Sequence, residues 1–537
     1  MPRTRKAALL GAFLIPLVAG GFLLQTRPQR EGAALLDQVM SLVNDRYVDT
    51  IPLSDVYEKA ASGLVKELND PYSELLTPRD LKQFNSRTGG RYGGLGMLIE
   101  EDPQLHVIRV VTVYPNTPAE NGGVREGDLI ARVDSASTRG WTINQVSDSL
   151  TGTPGTKVHV TFARPGITQA IEGTFTRAVI RIPAVPYTLT FNDKIGYIPL
   201  QTFNENAAEN VQAAVQQLQA RGARGIILDM RGDPGGILEQ SLQVANMFLP
   251  QGQLIASVKG REGPMQVESA KSSAIAPTIP LVVLTDERTA SASEIVTGAL
   301  QDHDRALVVG QTSFGKGLVQ GVYTLDGGYA LKLTTGKWFT PSGRSIQRPR
   351  KFVNGQFVEE NPDTNETDAS KKTRPAYKSD AGRVVYGGGG ITPDVIIPDD
   401  TLTTPEQAFA KAIAPKSQDF FTALADYSLE LSKKVQPDFT VQPAWVDEFF
   451  TRLQAKGVTT DRKAYDAASR YISRALEQRV SHFAFGDSTA KRRDLAYDAP
   501  LRKAIDLLSH GGSQRELFVA AGEPLGPARA PAPQKKP

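Results

Sequence analysis

"GIILDMRGDPGGILEQSLQVANMFL", residues 225–249, decides the fold. Ile226, Ile227 and Leu228 form an apolar run with no polar alternation, the mark of a strand covered on both faces. A turn built from Gly232, Asp233, Pro234, Gly235 and Gly236 breaks the strand, and a helical pattern follows it. The same alternation extends in both directions. "KIGYIPL" (194–200) reads as a strand and "NAAENVQAAVQQLQARG" (206–222) as a helix closed by Gly222. "IPLVVLTDE" (279–287) is a second buried strand, and "RALVVGQ" (305–311) is a third. Strand and helix in turn predict layers of α/β type.

At roughly 150 residues per domain, a 537-residue chain holds about three to four domains. The net charge is only +3, with the basic residues scattered, which argues against a nucleic-acid binder. There is no cysteine, which excludes disulfides, thiolate metal sites and cysteine nucleophiles. The five histidines are far apart, with no helical i, i+4 pair, so neither a metal nor a cofactor is expected. "MPRTRK" followed by the uncharged stretch 7–25 reads as a signal anchor or signal peptide over residues 1–30. The remainder is then exported, to the periplasm or the extracytoplasmic face of the membrane. Residues 31–88 form a helical arm, with Leu35, Leu36, Val39, Leu42 and Val43 at helical spacing, suited to packing or to dimerisation. Residues 89–167 are β-rich and 168–400 carry the α/β pattern. Residues 401–525 read as a C-terminal helical domain, and 526–537 as a disordered tail.

Candidate chemistry lies in "TASASEIVTGALQDHD", residues 289–304. Ser291 sits where a strand turns into a helix, beside unpaired N–H groups that can hold an oxyanion. Taken alone it reads equally well as a helix cap, since Ser-x-x-Glu is a common capping pattern. His303 and Asp302 tempt a triad reading, but they lie about 18 Å away at the other end of the helix. A better base is Lys316 in "GQTSFGKGLVQ" (310–320), between Gly315 and Gly317 and among apolar neighbours that favour a neutral amine. The competing reading is an exposed lysine in a glycine turn. Gly235 and Gly236 offer backbone N–H groups for half of an oxyanion hole, with the N–H of Ala292 as the other half.

Together these stretches resemble the C-terminal processing peptidases, the tail-specific Ser/Lys proteases of peptidase family S41. The resemblance runs from about residue 32 to 400. It implies a ClpP/crotonase-like α/β protease core, with Ser291 as nucleophile, Lys316 as general base and Gln320 orienting the lysine. Ala292, Gly235 and Gly236 then match the oxyanion hole, and Asp302 a supporting acidic position. Gly232 and Asp233 stand where the family often carries two asparagines, and Thr289 where serine is usual. The β-rich module resembles a PDZ domain. "GGLGML" matches its carboxylate-binding loop, so Gly94, Leu95, Gly96 and Met97 are expected to take a substrate's chain end. The implied partners are proteins or peptides with free apolar C-termini, the membrane through the N-terminal segment, and a second copy of the chain. One rival is a catalytically inactive PDZ adaptor tethered to the membrane. Another, a Ser-His-Asp esterase, lacks a histidine near Ser291.

Overall fold

The unbroken apolar runs become the inner strands of a single six-stranded sheet. Its order is Leu189–Phe191, Ile195–Pro199, Gly225–Asp229, Leu281–Thr285, Leu307–Gly310 and Val395–Ile396. All neighbours are parallel except the first pair, which is a hairpin. This computed structural model describes residues 32–102, 107–164, 169–353, 356–359, 368–398, 400–458, 461–523 and 525–526. The segment 1–30 and the tail beyond residue 526 lie outside the described residues. Among those described, no helix is long and apolar enough to cross a membrane.

Alternation along each strand assigns its side chains to two cores. Ile226, Leu228, Leu281 and Val283 point into one, shared with helices Ala207–Ala220, Leu238–Asn246 and Ala292–Asp302. Ile227, Val282, Leu284, Leu307 and Val309 point into the other. That second face is covered by Leu501, Ala504, Ile505 and Leu508 of helix Ala499–His510 and by Leu517 and Phe518 of helix Gln514–Ala520. This corrects the expectation of one C-terminal helical domain over 401–525. Strands apolar on both faces need a second cover, and the last two helices supply it. The preceding helices instead share their own core, in which Phe409, Phe420, Phe449, Tyr465 and Leu476 are buried.

The β-rich module is an antiparallel sheet ordered Met97–Asp102, Val107–Val113, Leu129–Val133, Lys157–Ala163, Ile171–Thr176. Ile108, Val110, Ile130, Val158, Val160 and Phe162 fill its core, closed by Val146 and Leu150 of helix Ile143–Leu150. Arg109 of this sheet is buried and pairs at 2.7 Å with Asp426 of helix Ser417–Ser432. The described residues up to 81, together with 320–334, belong to a separate compact unit. There, strand Glu74–Leu76 pairs antiparallel with Ala330–Lys332, and Tyr329 donates to Glu58 at 2.6 Å. Leu35, Leu36, Leu42 and Tyr57 of this unit are exposed.

A buried ionic cluster fastens the C-terminal helices to the end of strand Gly225–Asp229. Arg231 donates to Asp229 from Nε (2.9 Å) and Nη2 (2.6 Å), and to both oxygens of Asp498 (2.8 and 2.9 Å). Lys491 adds a contact to Asp498 at 2.6 Å. Arg231 and Lys491 hold the Asp498 carboxyl well below the usual carboxylate range, against the opposing effect of burial. Arg231→Ala leaves two neighbouring buried carboxylates without their shared cation, Asp229 keeping the Tyr197 hydroxyl (2.8 Å) and Asp498 keeping Lys491. It is expected to cost about 3–5 kcal/mol of stability, read as a lower urea midpoint. Asp498 has a depressed folded-state pKa, so its stabilisation is present above the ordinary carboxylate pKa and is lost as acid approaches the folded value.

Candidate active site

Strand Leu281–Thr285 ends in a turn that Asp286 closes. Its Oδ1 accepts from the N–H groups of Thr289 (3.0 Å) and Gly232 (2.8 Å). Thr289 in turn donates from Oγ1 to the carbonyl of Met230 at 2.9 Å. The turn before the helix and the glycine turn after Asp229 are thus tied together. Ser291 then caps helix Ala292–Asp302 with φ 55° and ψ −112°. A left-handed φ on a residue with a side chain costs about 1–3 kcal/mol and persists only where the surroundings enforce it. The surroundings here are the N–H of Ala290, bonded to the carbonyl of Asp233 at 2.9 Å, and the N–H of Ser291, bonded to Glu294 Oε2 at 2.8 Å.

Glu294 is fully buried and gathers four donors. Oε1 accepts from Ser313 Oγ (2.5 Å) and Gly315 N–H (2.6 Å), and Oε2 from Ser291 N–H and Lys316 N–H (2.9 Å). A single oxygen therefore holds the backbones of both Ser291 and Lys316. Burial pushes the Glu294 carboxyl above its ordinary range, although these four bonds oppose that. The lysine loop is pinned at further points. Phe314 N–H bonds the carbonyl of Thr289 (2.9 Å), and the Trp338 indole bonds the carbonyl of Lys316 (3.0 Å). Gly315 has φ +88°, and a Cβ there would lie 2.9 Å from the Gly390 nitrogen, so only glycine fits.

The glycine turn differs in part from expectation. Gly235 N–H is already bonded to Asp233 Oδ1 at 2.8 Å, so it is not a free oxyanion donor. Its requirement is steric, because a Cβ there would sit 2.6 Å from the carbonyl of Ala290 and 2.8 Å from the Ala292 nitrogen. Gly236 N–H has no partner among the described residues. Ala292 is the first residue of the helix, where an N–H has no intrahelical acceptor.

His303 and His482 are committed elsewhere. His303 Nδ1 contacts Asp380 (2.7 Å) and Nε2 contacts the carbonyl of Leu254 (2.6 Å). His482 contacts Asp487 and Glu126. Asp302 is buried and pairs with Arg344 at 2.7 Å. Gln320 lies in strand Leu318–Thr324, and its Nε2 donates to Thr334 Oγ1 at 3.4 Å. In the β-rich module, Leu95 is part of the core and Met97 is buried. Gly96 has φ +88°, and a Cβ there would meet Thr117 at 2.3 Å. Gly94 lies under the ring of Tyr92, whose phenol burial pushes up to about 12.

In the sequence Glu294 reads only as part of a capping pattern. A glutamate inside a helix that is otherwise entirely buried is the signal that could have found it. Arg231 and Asp498, 267 residues apart, carry no local signal of pairing.

The family model for peptidase family S41 matches residues 194–352, and a PDZ-domain model matches 109–164. The chain is similar to a carboxy-terminal-processing protease of Bartonella bacilliformis, 35% identical over 318 residues, covering 58% of this chain and 72% of that one. It is also similar to the carboxyl-terminal-processing protease of a Synechocystis species, at 33% identity covering 57% and 72%. Carboxy-terminal processing protease CtpA of Bacillus subtilis is 33% identical, covering 58% and 67%. With the strand–turn–helix at Ser291 and the glycine loop at Lys316 joined through Glu294, these matches show that the chain belongs to peptidase family S41 and carries a PDZ domain.

Proposed function

We propose that the chain is an exported serine endopeptidase that recognises protein C-termini and cleaves with a Ser291/Lys316 dyad. The observation that carries this reading is the convergence of the Ser291 and Lys316 amides on one oxygen of Glu294. Lys316, as the free amine, takes the proton of Ser291 Oγ. The oxygen attacks the scissile carbonyl, and the oxyanion that forms is held by N–H groups. Ala292 and Gly236 are the donors that fit this role, and Gly235 shapes the turn. Collapse breaks the C–N bond, and the lysine's proton passes to the leaving amine. Water, deprotonated by Lys316, then releases the acyl group from Ser291. The resemblance assigns Gln320 to orient the lysine.

The PDZ module presents the backbone around Gly94, Leu95, Gly96 and Met97 to a substrate carboxylate. The peptide adds as a strand beside Met97–Asp102, which favours tails that are unfolded and apolar. The basic start and apolar stretch 7–25 support attachment at the extracytoplasmic face of the membrane, and the exposed leucines of the N-terminal arm support self-association. Mass spectrometry of products from an unfolded substrate with an apolar tail tests the reading. Internal peptide-bond cleavage by the wild type, absent with Ser291→Ala, is the expected result. Products that persist in the variant would sink it.

A further inference from the structure

We propose that Asp233 works as a neutral carboxylic acid, a positioning residue that shapes the turn beside Ser291, and that its ionisation at alkaline pH shuts cleavage down. This rests on the Ser/Lys reading above. Asp233 is completely buried. Among the described residues its Oδ1 accepts from the Gly235 N–H at 2.8 Å, and its Oδ2 has no hydrogen-bond partner. A carboxylate left with one donor and an empty oxygen is costly in such a place, whereas the neutral acid is far less so.

The charged groups around it do not relieve this. From the turn before Ser291, Asp286 faces it as a second buried carboxyl, and Arg288 is engaged with Asp286 at 2.9 Å. From helix Ala292–Asp302, Ser293 Oγ donates to the backbone carbonyl of Asp233 (3.2 Å), and Glu294 is occupied by its own four donors. From the start of the turn that follows strand Gly225–Asp229, Arg231 is committed to Asp229 and Asp498. Burial, reinforced by Asp286, pushes the Asp233 carboxyl up to about 8 even though the Gly235 N–H and the Ser293 hydroxyl both favour its charged form.

The placement makes that proton matter. The carbonyl of Asp233 anchors both Ala290 and Ser293, the residues on either side of Ser291 and Ala292. A Cβ on Gly235, which Asp233 holds, would stand 2.9 Å from Ser291 Cβ. A negative charge in this turn opposes the oxyanion that must develop beside it, the reverse of preorganised stabilisation. The neutral acid presents the same acceptor to Gly235 that an asparagine would.

Asp233→Asn keeps the acceptor and the volume and removes the ionisation. Wild-type kcat/KM is expected to fall about tenfold per pH unit above the ionisation, while the variant stays within about threefold of its neutral-pH value over the same range. Stability supplies a readout independent of cleavage. The folded-state pKa is raised, so the stabilisation from the bound proton is full below 3.8 and lost as pH rises through about 8. The Tm of the wild type minus that of Asp233→Asn should therefore decline across that window. An alkaline limb that persists in the variant, or a Tm difference that is flat with pH, overturns the assignment. Failure of the dyad shows differently, as cleavage retained in Ser291→Ala.

Discussion

Ser291→Ala and Lys316→Arg are each expected to fold normally and to cleave an unfolded, tailed substrate at least about 10⁴-fold more slowly than the wild type. The first loss is that of the nucleophile. Alanine keeps the Cβ and the backbone N–H that bonds Glu294, so the turn and its strained φ are retained. The second variant separates two roles a lysine could play. Arginine keeps the positive charge and the hydrogen-bond donors, but it is not deprotonated in proteins and cannot accept a proton from serine. If Lys316 acts only by its charge, Lys316→Arg retains much of the activity. If it is the general base, the variant is as inactive as Ser291→Ala. Initial rates on one fluorogenic unfolded substrate, with thermal melts confirming the fold, decide between these outcomes. Partial activity above about one-tenth of wild type in Lys316→Arg would end the general-base assignment.

The parts legible in the sequence are those whose signal is local. Ile226–Leu228 and Leu281–Leu284 read as buried strands because a chain covered on both faces needs no polar alternation. The change from an apolar run to a helical period places Ser291 at a helix start, and the structure puts it there. Lys316 stands out because two glycines flank it, and at Gly315 the backbone does require glycine. What does not show depends on contacts distant in the chain or on hydrogen-bond counting. Helix Ala499–His510 looks like any amphipathic helix, and nothing within it says that its apolar face lies on a sheet formed some 200–300 residues earlier. Residue type suggests an oxyanion role for Gly235, yet the side chain two positions before it takes its N–H. An asparagine could accept that bond equally well, so the residue's shape is visible in the sequence and its protonation is not.

Glu294→Gln is expected to lower kcat/KM by about 10²–10³ and to lower Tm as well, because the fully buried carboxyl is a geometric hub and each buried donor left unpaired costs about 1–3 kcal/mol. All four of its contacts are donors: Ser313 Oγ, and the N–H groups of Gly315, Ser291 and Lys316. A carboxylate accepts at both oxygens, but an amide accepts at only one. Whichever way the substituted side chain turned, its NH₂ would face two donors. If it faced Ser291 and Lys316, the strained φ of Ser291 would lose its main restraint, and the two loops would relax apart. If it faced Ser313 and Gly315, the lysine loop would lose the anchor just before Lys316. Displacements near 1 Å are enough to cost about 100-fold when a nucleophile and base must align. Labelling by a serine-reactive fluorophosphonate reads the same effect without a substrate tail. Its rate should fall in step with kcat/KM, whereas binding of an apolar C-terminal peptide to the PDZ module should be unchanged. Wild-type labelling and cleavage in Glu294→Gln would show that Ser291 and Lys316 are held together by something other than this carboxyl.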